Sequence, residues 1–257
     1  MTALVPRRPR GDKRWMRGIV RTGWRLIADY ALPPRCPACG IPVAEDHRFC
    51  VDCWSSLRFL GPPWCAQCHL PFGFDRGEGA VCAPCAATPP RHAGVRAAVA
   101  YGDVAGALAV RLKHGGRIAL AGTMARAMLR LVPGDADLLV PVPLHRGRLW
   151  RRGFNQAGLI AEAVGRLAGV PREHLALRRD RATPLLRGLG RRGRARAVAG
   201  VFRIDPARRD RVRGRAVLLI DDVYTTGATT AACTRALRAA GARSVTILCW
   251  ARLLPDD

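Results

Sequence analysis

Ala216-Val217-Leu218-Leu219-Ile220-Asp221-Asp222-Val223-Tyr224-Thr225-Thr226-Gly227-Ala228-Thr229 is the stretch whose reading decides the fold. Its apolar half, taken with Arg215 as a strand over Arg215–Ile220, runs straight into two acids. The Thr-Thr-Gly-Ala-Thr turn then opens an alanine-rich helix, expected over 228–240 and closed by Gly241. A second apolar strand is expected over Ser244–Trp250, so the three pieces form a βαβ unit and require a parallel sheet. Ligands of such sheets sit beyond the carboxyl ends of the strands, which is where this turn falls.

The turn has the chemistry of a phosphate cradle. Small hydroxyl residues and glycine let backbone N–H groups come close to an anion, and a helix N-terminus adds favourable partial charge. Thr225, Thr226, Gly227, Ala228 and Thr229 are the candidate cradle. Two carboxylates beside an anion site are repulsive unless the same ligand brings hydroxyl donors or a divalent cation. A ribose 5-phosphate group meets that condition, with Asp221 and Asp222 accepting from ring hydroxyls. Read separately, the acids end a strand and the threonines cap a helix; their ordered combination is what favours the sugar phosphate.

Working outward, further strands are expected over Val95–Tyr101 and Asp137–Val142, and further helices near 103–113, 118–131 and 155–168. The fold class is therefore α/β, a parallel sheet flanked by helices. Residues 1–14 form a Pro/Arg-rich solvated arm. From Trp15 the apolar positions Trp15, Ile19, Val20, Trp24 and Ile27 recur at helical spacing until Pro33-Pro34, an amphipathic helix that packs on its neighbour. The expected organisation is a basic arm and amphipathic helix over 1–34, a double zinc ribbon over 35–90, and the α/β domain over 91–257. The chain's 257 residues allow more than one core. No apolar run reaches the roughly 18 residues of a membrane span, and the N-terminus lacks the apolar core of a secretory signal, so a cytoplasmic location is expected.

Residues 35–90 hold eight of the ten cysteines, as four CxxC pairs: Cys36/Cys39, Cys50/Cys53, Cys65/Cys68 and Cys82/Cys85. Two thiolates three positions apart grip one metal from a tight knuckle, and two knuckles complete the four-sulfur shell that Zn²⁺ prefers. Disulfides and iron–sulfur ligation compete, but a chain without a secretion signal keeps its thiols reduced. Structural zinc, two ions, is the expectation. Sequential pairing suits the short intervals between pairs, while interleaved pairing remains open. His47 and His69 stand near, although eight cysteines already fill two shells. Cys233 and Cys249 are expected as small buried hydrophobes.

A net charge of +24, from 43 basic and 19 acidic residues, attracts polyanions: nucleic acid, phosphorylated metabolites or acidic surfaces. From Arg178 to Arg215 there are fourteen arginines and three acids. Few aromatics interleave with the basic clusters, which weighs against base stacking.

Val217 to Thr229 resembles the phosphoribosyl pyrophosphate (PRPP) motif of type I phosphoribosyltransferases, and the resemblance implies that the acids touch the ribose and the loop holds the 5-phosphate, with Mg²⁺ accompanying the ligand. Leu139-Val140-Pro141-Val142-Pro143-Leu144-His145-Arg146 is an apolar strand emerging into a basic loop. Similar proteins hold pyrophosphate on the loop after this strand, which implies that role for Leu144, His145 and Arg146. Arg152-Gly153-Phe154-Asn155-Gln156 resembles a signature of ComF proteins, which are linked to DNA uptake in natural competence. Lys113-His114-Gly115-Gly116 is similar to their Lys-aromatic-Gly pattern. The resemblance implies a phosphoribosyltransferase-type domain behind a double zinc ribbon, acting on an acceptor it does not name. It also implies a second possibility, a scaffold or sensor that contacts single-stranded DNA or a helicase-like competence protein. Where ComF relatives carry a glutamine after Thr-Pro and an asparagine before Val-x-Gly-x-Phe, this chain has Leu186 and Ala197.

Overall fold

A computed structural model describes residues 33–181, 190, 193 and 196–255. The basic arm over 1–14, the amphipathic stripe from Trp15 to Ile27, and Thr183, Pro184 and Leu186 lie outside the described residues. The backbone divides between Cys50 and Val51 into two compact units.

In the first unit the chain doubles back on itself at the first knuckle. Cys36 N donates to Ile41 O (2.8 Å), Gly40 N to Cys36 O (2.9 Å) and Val43 N to Pro34 O (2.8 Å). The second unit repeats this pattern 29 positions later. There Cys65 N donates to Leu70 O (2.9 Å), His69 N to Cys65 O (2.9 Å) and Phe72 N to Pro63 O (2.8 Å). Arg35-Cys36-Pro37-Ala38-Cys39-Gly40-Ile41-Pro42 and Trp64-Cys65-Ala66-Gln67-Cys68-His69-Leu70-Pro71 are thus two copies of one turn. The left-handed position is Gly40 in the first copy (φ 84°) and His69 in the second (φ 52°).

Short helices α1 (Val51–Ser55) and α2 (Ala83–Ala87) each carry the last cysteine of a tetrad. Beyond them come β1 (Val95–Ala100), α3 (Asp103–His114), α4 (Leu120–Leu129), β2 (Leu138–Pro141), α5 (Arg146–Arg152) and α6 (Gln156–Ala168). The chain continues with β3 (Leu177–Arg179), β4 (Phe202–Ile204), α7 (Arg209–Val212), β5 (Ala216–Tyr224), α8 (Ala228–Ala239) and β6 (Ser244–Arg252). The main sheet has the order β1-β6-β5-β2 and every pairing in it is parallel.

Because helices cover both faces, the central strands are apolar without alternation. Val217 and Leu219 join the core with Cys233 and Leu237 of α8 and Phe202 of β4. Leu218 and Ile220 point to the opposite face and are equally buried.

Among the described residues the expected strands and helices are present, with three differences. First, β5 does not stop at Ile220: β6 continues as its partner, so the ladder runs through Asp221 to the pair Tyr224↔Arg252. Second, the basic segment after β2, expected as a loop, winds into α5, capped by the His145 imidazole accepting from Gly147 N at 3.2 Å. Third, β3 and β4 pair antiparallel as a two-stranded ribbon against α8. Its strands are three residues each, too short for an alternating pattern to show in the sequence.

Within the second unit the ribbon is fastened to the sheet. Residues 58–60 run antiparallel along β1, with Leu60 N donating to Ala98 O (3.0 Å) and Ala100 N to Arg58 O (2.8 Å), which covers an otherwise open edge. From the end of β6, Arg252 Nη1 donates to Cys68 O (3.1 Å), His69 O (3.1 Å) and Val95 O (3.3 Å). The residue is 6% exposed, so few waters are available to replace it. His69 stacks on Trp64 with ring centroids 4.7 Å apart, and its imidazole fills the space that a Cβ on Gly94 would need.

Hydrogen bonds from a charged donor contribute about 1.5–3 kcal/mol each. Arg252→Met, which keeps most of the side-chain volume, should therefore lower the unfolding free energy of the zinc-loaded protein by about 2–3 kcal/mol in urea denaturation. A loss below about 0.5 kcal/mol would mean that the three carbonyls do not depend on it.

Candidate functional site

The cysteines gather as two sequential tetrads, Cys36/Cys39/Cys50/Cys53 and Cys65/Cys68/Cys82/Cys85, with the sulfurs of each lying within 4.8 Å of one another. Tetrahedral zinc with Zn–S near 2.3 Å requires sulfurs about 3.8 Å apart. The Cys39–Cys50 and Cys68–Cys82 sulfurs stand 3.6 and 3.7 Å apart, and none of the eight cysteines is in a disulfide. The donor set and spacing fit structural Zn²⁺, and the interleaved pairing is ruled out. Burial raises the Cys36 and Cys65 thiols, but knuckle amides outweigh it, Cys39 N–H first for Cys36 and Cys68 N–H first for Cys65, and bring each down to about 6. One thiol of each tetrad thus favours thiolate before any metal arrives, whereas burial raises Cys68 and Cys85.

His69 is no ligand. Its ring is held neutral, down to about 4, by burial and by the charges of Arg96, His92 and Arg252. Cys233 and Cys249 are wholly buried, and burial pushes both thiols up.

β5 carries its acids out of the core, at the sheet end where Tyr224 pairs with Arg252. Asp221 and Asp222 are half-buried at the strand's end, and Asp222 N donates to Asp221 Oδ1 at 2.9 Å. Asp221 lines a small hollow together with Thr225, Thr226, Gly227, Ala228, Thr229 and Thr230. Helix α8 opens on Gly227, in the left-handed region at φ 74°. Only glycine serves here, because a Cβ would also strike the Tyr224 ring. Having no side chain, Gly227 leaves the first turn of α8 uncapped from within, an arrangement that favours an external anion. Thr230 Oγ1 instead donates back to Gly227 O at 3.0 Å.

The loop after β2 leaves the sheet next to the acids, since Val142 N donates to Ile220 O at 2.9 Å. Leu144 and His145 are half-buried there and Arg146 is exposed at the start of α5. These three neighbour the acid pair's strand but do not line the Thr225–Thr230 hollow.

The Arg152–Gln156 segment has a mechanical explanation that its sequence did not disclose. Gly153 ends α5 in the left-handed conformation, φ 78°. Asn155 caps α6, accepting from Ala157 N (3.1 Å), while its Nδ2 donates to Val142 O (3.0 Å) and so pins the loop after β2. Arg152 Nη1 donates to buried Gln156 at 2.7 Å and lies close enough for the Asp222 charge to act on it. Lys113, at the end of α3, acts on Asp221 in the same way.

Neither the Arg152–Asp222 nor the Lys113–Asp221 relation was readable along the chain. Each joins residues about 70 or more positions apart, and the only signal was the presence of both motifs. Burial pushes the Asp221 carboxyl well above the ordinary carboxylate range, and the adjoining Asp222 charge adds to this, with Lys113 opposing. A raised acid binds protons in the folded state that the unfolded chain has released, so stability falls as pH rises from the ordinary carboxylate range through the raised one. Asp222→Asn removes the like charge but keeps the backbone amide. In that variant the Asp221 carboxyl carbon should titrate at lower pH than in the parent, followed by ¹³C NMR; an unmoved titration would show that burial alone sets it.

Residues 27–87 match the double zinc ribbon domain. The DNA utilization protein YhgH of Escherichia coli strain K12 is 31% identical over 232 residues, spanning 87% of this chain and 99% of its own length. Competence protein F of Haemophilus influenzae is 26% identical over 78% of this chain and 89% of its own, and Competence protein ComFC of Bacillus subtilis 27% over 72% and 75%. Among solved structures, glutamine PRPP amidotransferase from Bacillus subtilis overlaps 55% of this chain and 30% of its own at 18% identity, with a TM-score of 0.39, too loose a likeness to argue from. On the strength of relatives matched through ribbons and sheet alike, the chain belongs to the ComF family.

Proposed function

We propose that the chain binds PRPP with magnesium at the end of β5 and transfers its phosphoribosyl group to an acceptor. One observation carries this reading: the Asp221 carboxylate and a glycine-opened helix start meet on one hollow, with Asp222 adjoining Asp221 in the strand. In this reading Asp221 and Asp222 accept from the ribose hydroxyls. Thr225, Thr226, Gly227, Ala228 and Thr229 hold the 5-phosphate through amides and hydroxyls. Leu144, His145 and Arg146 attend the pyrophosphate, the Arg146 guanidinium supplying the planar fork that phosphate oxygens favour. Magnesium, when bound with the ligand, supplies charge neutralisation to the departing pyrophosphate.

The chain's own contribution is positioning and fixed charge. Lys113 and Arg152 flank the acids, which offsets their mutual repulsion when the site is empty of ligand. Titration of Mg-PRPP into the Asp221→Asn, Asp222→Asn double variant by calorimetry should show binding lost, and unchanged affinity would refute the assignment.

A second reading, contact with single-stranded DNA, is favoured by one feature and by the competence and DNA-utilization names of the relatives. Trp150 is 86% exposed on α5 and stands among Arg146, Arg148, Arg151 and Arg152. An exposed ring within a cationic stripe is a stacking platform with countercharge. The arginines at 187, 191, 192 and 194 lie outside the described residues. Stacking contributes about 1–3 kcal/mol per base, so Trp150→Ala should weaken oligothymidylate binding by roughly 5- to 150-fold in fluorescence anisotropy at fixed salt. Equal affinity of parent and variant would remove this helix from the DNA path.

A further inference from the structure

The first turn of α8 depends on a residue that could act as a hinge. Gly227 stands between strand and helix at φ 74°, and glycine leaves such a conformation as readily as it enters it. On the helix side its carbonyl is held, accepting from Ala231 N (2.8 Å) and from Thr230 Oγ1 (3.0 Å). On the strand side the Tyr224 ring fills the space that a Cβ on Gly227 would need. The direction of the amides around Gly227, the candidate phosphate donors, therefore depends on where that ring stands.

Tyr224 is fixed in turn from β6. Leu253 N donates to Tyr224 O at 2.9 Å, and the Arg252 guanidinium lies over the ring, 5.2 Å from its centroid. Arg252 is 6% exposed, and a cation on an aromatic face is held more firmly when both are desolvated. Its Nη1 is engaged by the carbonyls of Cys68, His69 and Val95, so the guanidinium cannot slide off the ring without breaking those bonds. A continuous line of contacts thus runs from the second cysteine knuckle through Arg252 and Tyr224 to Gly227. Neither Cys68 nor Arg252 lines the Asp221–Thr230 hollow.

We propose that Tyr224 is a positioning residue for the phosphate cradle, braced by Arg252, and that the second knuckle thereby sets how tightly a sugar phosphate is held without touching it. The role rests on the sugar-phosphate reading of the loop. With the ring in place Gly227 is ordered before the ligand arrives; without it, binding must order the hinge, and affinity falls.

Ribose 5-phosphate, titrated into the full zinc-loaded chain and followed by ³¹P NMR, reads the cradle directly. Ordering one freed backbone residue is equivalent to roughly 5- to 30-fold in affinity, so Tyr224→Leu should weaken binding by that factor. Tyr224→Phe keeps the ring and should stay within about threefold of the parent. Arg252→Met should weaken binding about threefold or more in the parent but less than about twofold in Tyr224→Leu, where no ring is left to brace. Tyr224→Leu binding as tightly as the parent, or Tyr224→Phe losing as much as Tyr224→Leu, overturns the positioning role while leaving the loop reading standing. An Arg252→Met loss of the same size with and without the ring overturns the brace. A parent chain that does not bind ribose 5-phosphate overturns the loop reading and this role with it. If Arg252→Met loses its fold by circular dichroism, Arg252→Gln, which keeps a donor for the carbonyls but no charge over the ring, takes its place in the comparison.

Discussion

The parallel pairing of β5 with β6 out to Tyr224 and Arg252 is the constraint on which the second unit depends. Four residues beyond the apolar core stay in register because β6 stays alongside. That continuation delivers Asp221 and Asp222 at the sheet's end at a fixed height. It also brings Arg252 within reach of the Cys68, His69 and Val95 carbonyls. One ladder therefore places the acids on one strand and secures the metal-binding segment through the other.

Electrostatics at the acid pair shows how the surrounding elements compensate. Two carboxylates stand side by side, and the Asp222 charge opposes ionisation of the strongly desolvated Asp221. Lys113 comes from the end of α3 and Arg152 from the end of α5, so cations from two separate crossovers converge on β5. The helix that follows begins at a glycine crowded by Tyr224, which fixes where its amides point. Repulsion, countercharge and backbone dipole are thus arranged around one strand end before any ligand is present.

Much of this was legible in the residues. Strong apolar runs such as Leu138–Pro141 and Ala216–Ile220 declared themselves, and the CxxC spacing favoured the sequential tetrads. The parts that were not legible share a cause: they depend on partners remote in sequence. Asp221 to Tyr224 look like loop until β6 is known to accompany them. Arg146 to Arg152 carry so much charge that their helix shows no buried stripe, and none of its residues is buried. Asn155 and Gly153 could be noted as a motif, but their work of pinning Val142 O and turning the chain is visible only in three dimensions. His69 looked like a spare ligand because proximity in sequence to a cysteine says nothing about which way an imidazole faces.

The two cysteine knuckles repeat the same backbone turn, yet the copies have diverged at the single left-handed position. Gly40 adopts that conformation without steric cost, whereas His69 accepts it at some expense, about 1–2 kcal/mol for a residue with a Cβ. What the second copy gains is a ring wedged between Trp64 and the backbone at Gly94. A position lacking a side chain cannot act as a fastener, so the duplicated turns are not interchangeable parts. One keeps the relaxed geometry that any metal knuckle could use, and the other is a joint specific to this sheet.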